Sequence, residues 1–226
     1  MGWGVSGVRR GVFTGWIAVT IAACVVQSIL HLTTGVGHDR FGSLFDLDRS
    51  NGVPDVVSTL VLGVAAVGAA ALAVVAGGRE RALAAGLAVV LAVLASADAA
   101  HEGPHPSSLA GWLVIAVVVL AAVFLAVAAG GWNGRSRVTI ALAACALGAS
   151  FFVNALDRLD PRRFEAARGE PIAEYQIVAK EGLELLGWSL VALVLWDEAI
   201  RRRRAGTTSA RSPASPAPAA RRRRAA

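Results

Sequence analysis

The run VVSTLVLGVAAVGAAALAVVAG, residues 56–77, decides the fold. Its 22 positions hold no charged residue, and a helix needs roughly 20 apolar residues to cross a bilayer core. Gly, Ala, Val and Leu fill it without period-2 alternation. A helix is therefore expected rather than a strand of a barrel. The small residues of GVAAVGAAALA (63–73) suit close packing of one membrane helix on another.

The same pattern recurs along the chain. Six spans are expected, at about 11–32, 56–77, 82–100, 109–129, 138–156 and 181–200. Over all 226 residues the chain is 55% hydrophobic and 17% charged, where soluble domains carry about 25% charged residues. The sequence thus predicts an all-α integral membrane protein. Residues 1–200 would form a bundle of six transmembrane helices, and 201–226 a disordered, Arg-rich tail without apolar pattern.

Charge placement sets the topology. With both termini cytoplasmic in a bacterial inner membrane, fifteen Lys and Arg fall inside and seven outside. Of the acids, only Glu80, Asp197 and Glu198 fall inside; thirteen lie outside or near the outer ends of spans, as do His31, His38, His101 and His105. The net charge of +6 is accordingly a topology signal rather than a nucleic-acid footprint. The 78–81 loop, in GGRER (77–81), is read as a tight cytoplasmic hairpin, and Trp132 in the 130–137 loop as an interface anchor. Pro54 suits the first turn of the second span. A short interfacial helix is expected within the 157–180 loop. Arg201–Arg204 and Arg221–Arg224 are candidate contacts for anionic lipid headgroups, and small-residue faces would support a homo-oligomer.

Two cysteines make no disulfide framework. Cys24 and Cys145 both fall inside spans, where a buried cysteine serves as a small packing residue. IAAC (21–24) also resembles a lipoprotein cleavage site, but the apolar run continues beyond it as VVQSIL, so an uncleaved first span is expected.

Chemistry concentrates at the outer ends of the spans. Asp98, His101, Glu102 and His105 are spaced i, i+3, i+4, i+7 and would share one face of a continuous helix. Glu181 and Glu184 open the sixth span at i, i+3, and Asn154 and Asp157 close the fifth. Ionisable groups cost roughly 2.5 to 3.5 kcal/mol each at a helix centre and less near its ends, so Asp98 and Glu184 call for partners or a wet cavity. Mixed imidazole and carboxylate donors suit zinc or iron. Three readings stay open: a metal or cation site, a proton or substrate relay, and helix-end residues bonded to one another and to water. HEGPH (101–105) also fits the H-E-x-x-H pattern of zinc peptidases, which needs an intact helix. Pro104 removes a helical N–H and crowds the preceding turn. His101 and Glu102 are then expected to end the helix, with His105 in the loop.

LFDLDRSNGVPDVVSTLVL (44–62), HEG (101–103) and KEGLELLG (180–187) resemble motifs of a family of uncharacterised bacterial multi-pass membrane proteins. Its pattern is an LFDL…P…S loop, a DE…HE span end and an EE.LE.LG final span. Phe45, Asp46, Leu47, Pro54 and Ser58 match the first, His101 and Glu102 the second, and Glu181, Glu184 and Gly187 the third. Ser50, Gly52, Ala95-Ser96 and Lys180 stand where the family has other residues, and Lys180 can stand in for a cation. The resemblance implies the architecture and no reaction.

The sequence thus predicts a shallow, outward-facing cluster that binds a metal or cation. His101, Glu102, Glu181 and Glu184 are the candidate ligands, His101 and Glu102 the candidate acid/base pair, and Asp98 stands behind them. A membrane-embedded metal-dependent hydrolase is the enzymatic form of this reading. A non-enzymatic structural or accessory protein and a small carrier are the alternatives.

Overall fold

A computed structural model describes residues 53–99, 131–159 and 171–211, with Gly15, Ala18, Val19, Ala22, Val25, Val26, Ile29, Phe124 and Ala128. At 53–55, 98, 154–159, 171–175 and 208–211 the description covers the backbone alone. The continuous segments form four helices: α1 (Val53–Val75), α2 (Gly78–Ala99), α3 (Gly134–Leu159) and α4 (Pro171–Arg211). The isolated residues of the expected first and fourth spans are helical too. Among the described residues three helices are long and apolar enough to cross a membrane, over Val56–Val75, Gly78–Ala97 and Gly134–Val153.

Local chemistry explains the boundaries. Pro54 sits in the first turn of α1, where no intrahelical donor is needed. The last backbone bond closing α1 runs from Ala76 N–H to the Leu72 carbonyl, 2.8 Å. The chain reverses at once, because Gly78 takes a φ of +54° that other residues enter only with strain. The expected 78–81 loop is therefore already helix: Arg81 N–H donates to the Gly77 carbonyl and its Nε to the Ala76 carbonyl at 3.1 Å. Asn133 caps α3. Its Oδ1 accepts from Ser136 N–H at 2.8 Å, and its carbonyl accepts from Arg137 N–H at 3.1 Å.

Pro171 opens α4, which runs unbroken through the sixth span. The 171–180 part of the expected outer loop is the first portion of this helix. At its other end α4 continues past Ile200 as far as Arg211, into residues expected as tail. Its 41 residues extend for about 62 Å, longer than a bilayer is thick.

The helices pack side by side, α1 against both α2 and α4, and α4 against both α1 and α3. From Leu185 to Leu195 α4 is apolar on nearly every side and largely buried, as a central helix must be. Two glycines allow its close approach. A Cβ on Gly68 would lie 2.9 Å from Trp196 Cδ1, and the Trp196 indole N–H donates to the Val64 carbonyl at 3.0 Å. A Cβ on Gly187 would lie 2.5 Å from Leu147 Cγ and 3.2 Å from its backbone nitrogen.

The outer surface is apolar as well. On α1, Val56, Leu60, Val67 and Val74 form an exposed stripe, while Leu62, Ala65, Ala69 and Leu72 are buried. Val89 and Val93 on α2, and Val138, Leu142, Phe151 and Phe152 on α3, are exposed likewise. Aliphatic surface on both sides of a helix suits lipid on one side and protein on the other.

Gly187→Ala should therefore cost about 1–3 kcal/mol, because Leu147 is pinned by its own backbone at the contact. Thermal unfolding in detergent should show the loss. The same change at Gly63, which has nothing within 4 Å of its Cβ position, should leave stability unchanged or raised.

Candidate functional site

Two polar regions stand out, one at each end of the bundle. At the end carrying the 76–77 and 131–133 turns, henceforth the turn end, Glu198 is fully buried. A carboxylate there is costly unless it is paired and hydrogen-bonded. Helical spacing supplies the partners: Arg201 at i+3 and Arg202 at i+4 return to it. Arg201 binds both carboxylate oxygens, with Nε donating to Oε2 at 2.9 Å and Nη2 to Oε1. Arg202 Nε donates to Glu198 Oε1 at 2.8 Å, and its Nη1 reaches Glu80 Oε2 on α2. Glu80 Oε1 accepts from the Trp132 indole N–H at 3.4 Å. Hydrogen bonding to Glu198 holds the Arg201 guanidinium above its ordinary pKa, and Arg202 is raised by both carboxylates against the effect of burial.

This network ties α2, the turn before α3, and α4 together. The sequence marks Glu80 and Glu198 only as topology charges, and Arg201 as a topology charge and a candidate contact for lipid headgroups. Its local half was visible in DEAIRRRR (197–204), where carboxylate and guanidinium stand at i, i+3 and i+4. Trp132 was read as an interface anchor. It is instead 2% exposed inside the bundle, because Glu80 gives its N–H a protein partner.

The expected outer site falls at the opposite end. His101 and Glu102, like His31, His38, His105 and Cys24, lie outside the described residues. Asp98 is placed by its backbone in the last turn of α2. Glu181 and Glu184 are half-buried on α4, and Lys180 Nζ lies 3.0 Å from Glu181 Oε1. Among the described residues no three His, Cys, Asp or Glu side chains come together as a metal set.

One relation does connect these residues. Arg202 bonds Glu80, which gives the two helices a common reference point. Asp98 stands eighteen residues along α2 from Glu80, and Glu184 eighteen residues back along α4 from Arg202. Both helices are continuous over these stretches and antiparallel in chain direction, so both stretches lead from the ion pair toward the same end of the bundle. Asp98 and Glu184 are therefore each about 27 Å from it along their own helices. That is close to the roughly 30 Å thickness of a hydrocarbon core.

No protein-family model matches the chain, and no curated protein and no solved structure matches it significantly.

The network predicts an asymmetry. Arg201→Met with Arg202→Met strands a buried carboxylate and should cost about 3–5 kcal/mol. Glu198→Gln leaves guanidiniums that can still reach water, and should cost about 1–3 kcal/mol. Equilibrium unfolding in detergent measures both; the reverse order would contradict the burial argument.

Proposed function

We propose that the chain is a multi-pass membrane protein that binds a metal or cation at the end of the bundle away from the turns. His101, Glu102, Glu181 and Glu184 are the proposed ligands, with Asp98 behind them. The observation that carries this reading is the Glu80–Arg202 bond: Asp98 and Glu184 each stand eighteen residues from it along continuous helices toward the same end. His101 and Glu102 follow Asp98 by three and four residues in the sequence. Imidazole and carboxylate donors suit zinc or iron. Should the site be hydrolytic, His101 and Glu102 are the residues with acid/base chemistry. The charge distribution supports an orientation with this end outside a bacterial inner membrane and both termini in the cytoplasm. The motif resemblance to uncharacterised multi-pass membrane proteins agrees with this architecture.

One observation favours a second reading. Lys180 already sets an ammonium beside Glu181, so the cluster holds a cation of its own. In that case the polar end is structural, and the protein is a non-enzymatic scaffold or accessory subunit.

Metal analysis of the detergent-purified chain separates the two. After supplementation with zinc or iron(II), the native chain should retain stoichiometric metal and His101→Ala/Glu184→Ala should not. Asp98→Ala should weaken retention by about 10–100-fold, as loss of a supporting group does. Absence of stoichiometric metal from the native chain would leave the structural reading.

A further inference from the structure

We infer that the turn end carries a collar of arginines that binds the headgroups of anionic lipids. The inference is independent of the proposed metal site, which lies about 27 Å away.

The collar comes from three helices. α2 opens Gly-Arg-Glu-Arg (78–81) and α3 opens Gly-Arg-Ser-Arg (134–137). In each, the middle residue turns inward: Glu80 meets Arg202 and Trp132, and Ser136 is buried in the N-cap. The flanking residues Arg79, Arg81, Arg135 and Arg137 are all exposed. Arg81 and Arg137 each place Nε on a carbonyl of the preceding turn, Ala76 and Trp132 respectively, which fixes those guanidiniums at the bundle end. α4 adds Arg203 and Arg204, both exposed, whereas Arg201 and Arg202 are held by Glu198 and Glu80.

The charge does not balance within the protein. The described part of this end holds eight arginines against Glu80, Asp197 and Glu198. Two of those acids are already committed to Arg201 and Arg202. Four of the exposed arginines also stand in the first turns of helices, where the macrodipole disfavours a cation. An anionic surface relieves both costs. The collar lies where the apolar stretches Val56–Val75, Gly78–Ala97 and Gly134–Val153 begin or end, which is the depth of lipid phosphates. Guanidinium forks pair with phosphate oxygens in bidentate fashion. Each arginine brought to an anionic leaflet favours association by about fivefold.

The test uses the full chain in bilayers, with brominated phosphatidylglycerol and brominated phosphatidylcholine as competing quenchers of tryptophan fluorescence. The native chain should prefer phosphatidylglycerol, and high salt should weaken that preference. Arg203→Gln/Arg204→Gln should lower it several-fold, and adding Arg79→Gln and Arg135→Gln should abolish it. The same four positions changed to Lys should retain most of it. These residues are exposed, so thermal unfolding in detergent should match the native chain. Equal affinity for both lipids, or a preference unchanged in the Gln variants, would overturn the inference. So would inorganic phosphate stabilising the detergent-solubilised chain as much as phosphatidylglycerol does, since that would mark a site for a free anion.

Discussion

The architecture depends on one buried carboxylate. Glu198 has no contact with water, and removing a carboxylate from water costs several kcal/mol before any partner is found. Arg201 and Arg202 meet that cost from within the same helix. Arg202 then spends its remaining donors on Glu80, and Glu80 on Trp132. A local requirement of α4 thus becomes a constraint between helices. Sliding α4 along its axis by one turn would break the Arg202–Glu80 bond and expose or orphan Glu198. Packing alone specifies less: between apolar faces built from Ala, Val and Leu, a shift of one turn exchanges one small side chain for another. The two close contacts, Gly68 against Trp196 and Gly187 against Leu147, reinforce the register that the ion pairs select.

Fixing one end of a helix pair positions the other. Because α2 and α4 are continuous, the Glu80–Arg202 bond constrains both helices along their length to Asp98 and Glu184. Ionisable residues at the end of an apolar helix are ordinarily free to snorkel at different depths. Here both are tied through continuous helices to one ion pair at the far end. The turn end does different work: Arg201 and Arg202 satisfy its buried carboxylate, while Arg79, Arg81, Arg135, Arg137, Arg203 and Arg204 are exposed.

Much of this was legible in the sequence. The uncharged run at 56–77 dictates a spanning helix, Pro54 marks its start, and the glycines after it mark its end. Charge placement separated the two ends correctly for Glu80, Glu198 and the basic segments at 79–81 and 135–137, which the structure brings to one end. The misread parts share a physical cause. Trp132 looked like an interface residue because its partner Glu80 is 52 positions away, and no local pattern links them. DEAIRRRR read as the end of a span followed by a tail, because four consecutive arginines look solvated. The i+3 and i+4 spacing from Glu198 instead carries the helix onward through them. The level of the candidate ligands could be estimated from the sequence, since it follows from span lengths. Side-chain contacts such as Lys180 with Glu181 depend on rotamers, which spacing does not specify.

Immersion depth of spin labels in bilayers tests the central claim most directly. Cys24 and Cys145 would be replaced by Ser, and single cysteines placed at Ala99 on α2 and Leu183 on α4, beside Asp98 and Glu184. The account predicts the same depth for both labels in the native background, and divergence between them once Arg201 and Arg202 are changed to Met. Depths that already differ by a helical turn, about 5 Å, in the native background would contradict it.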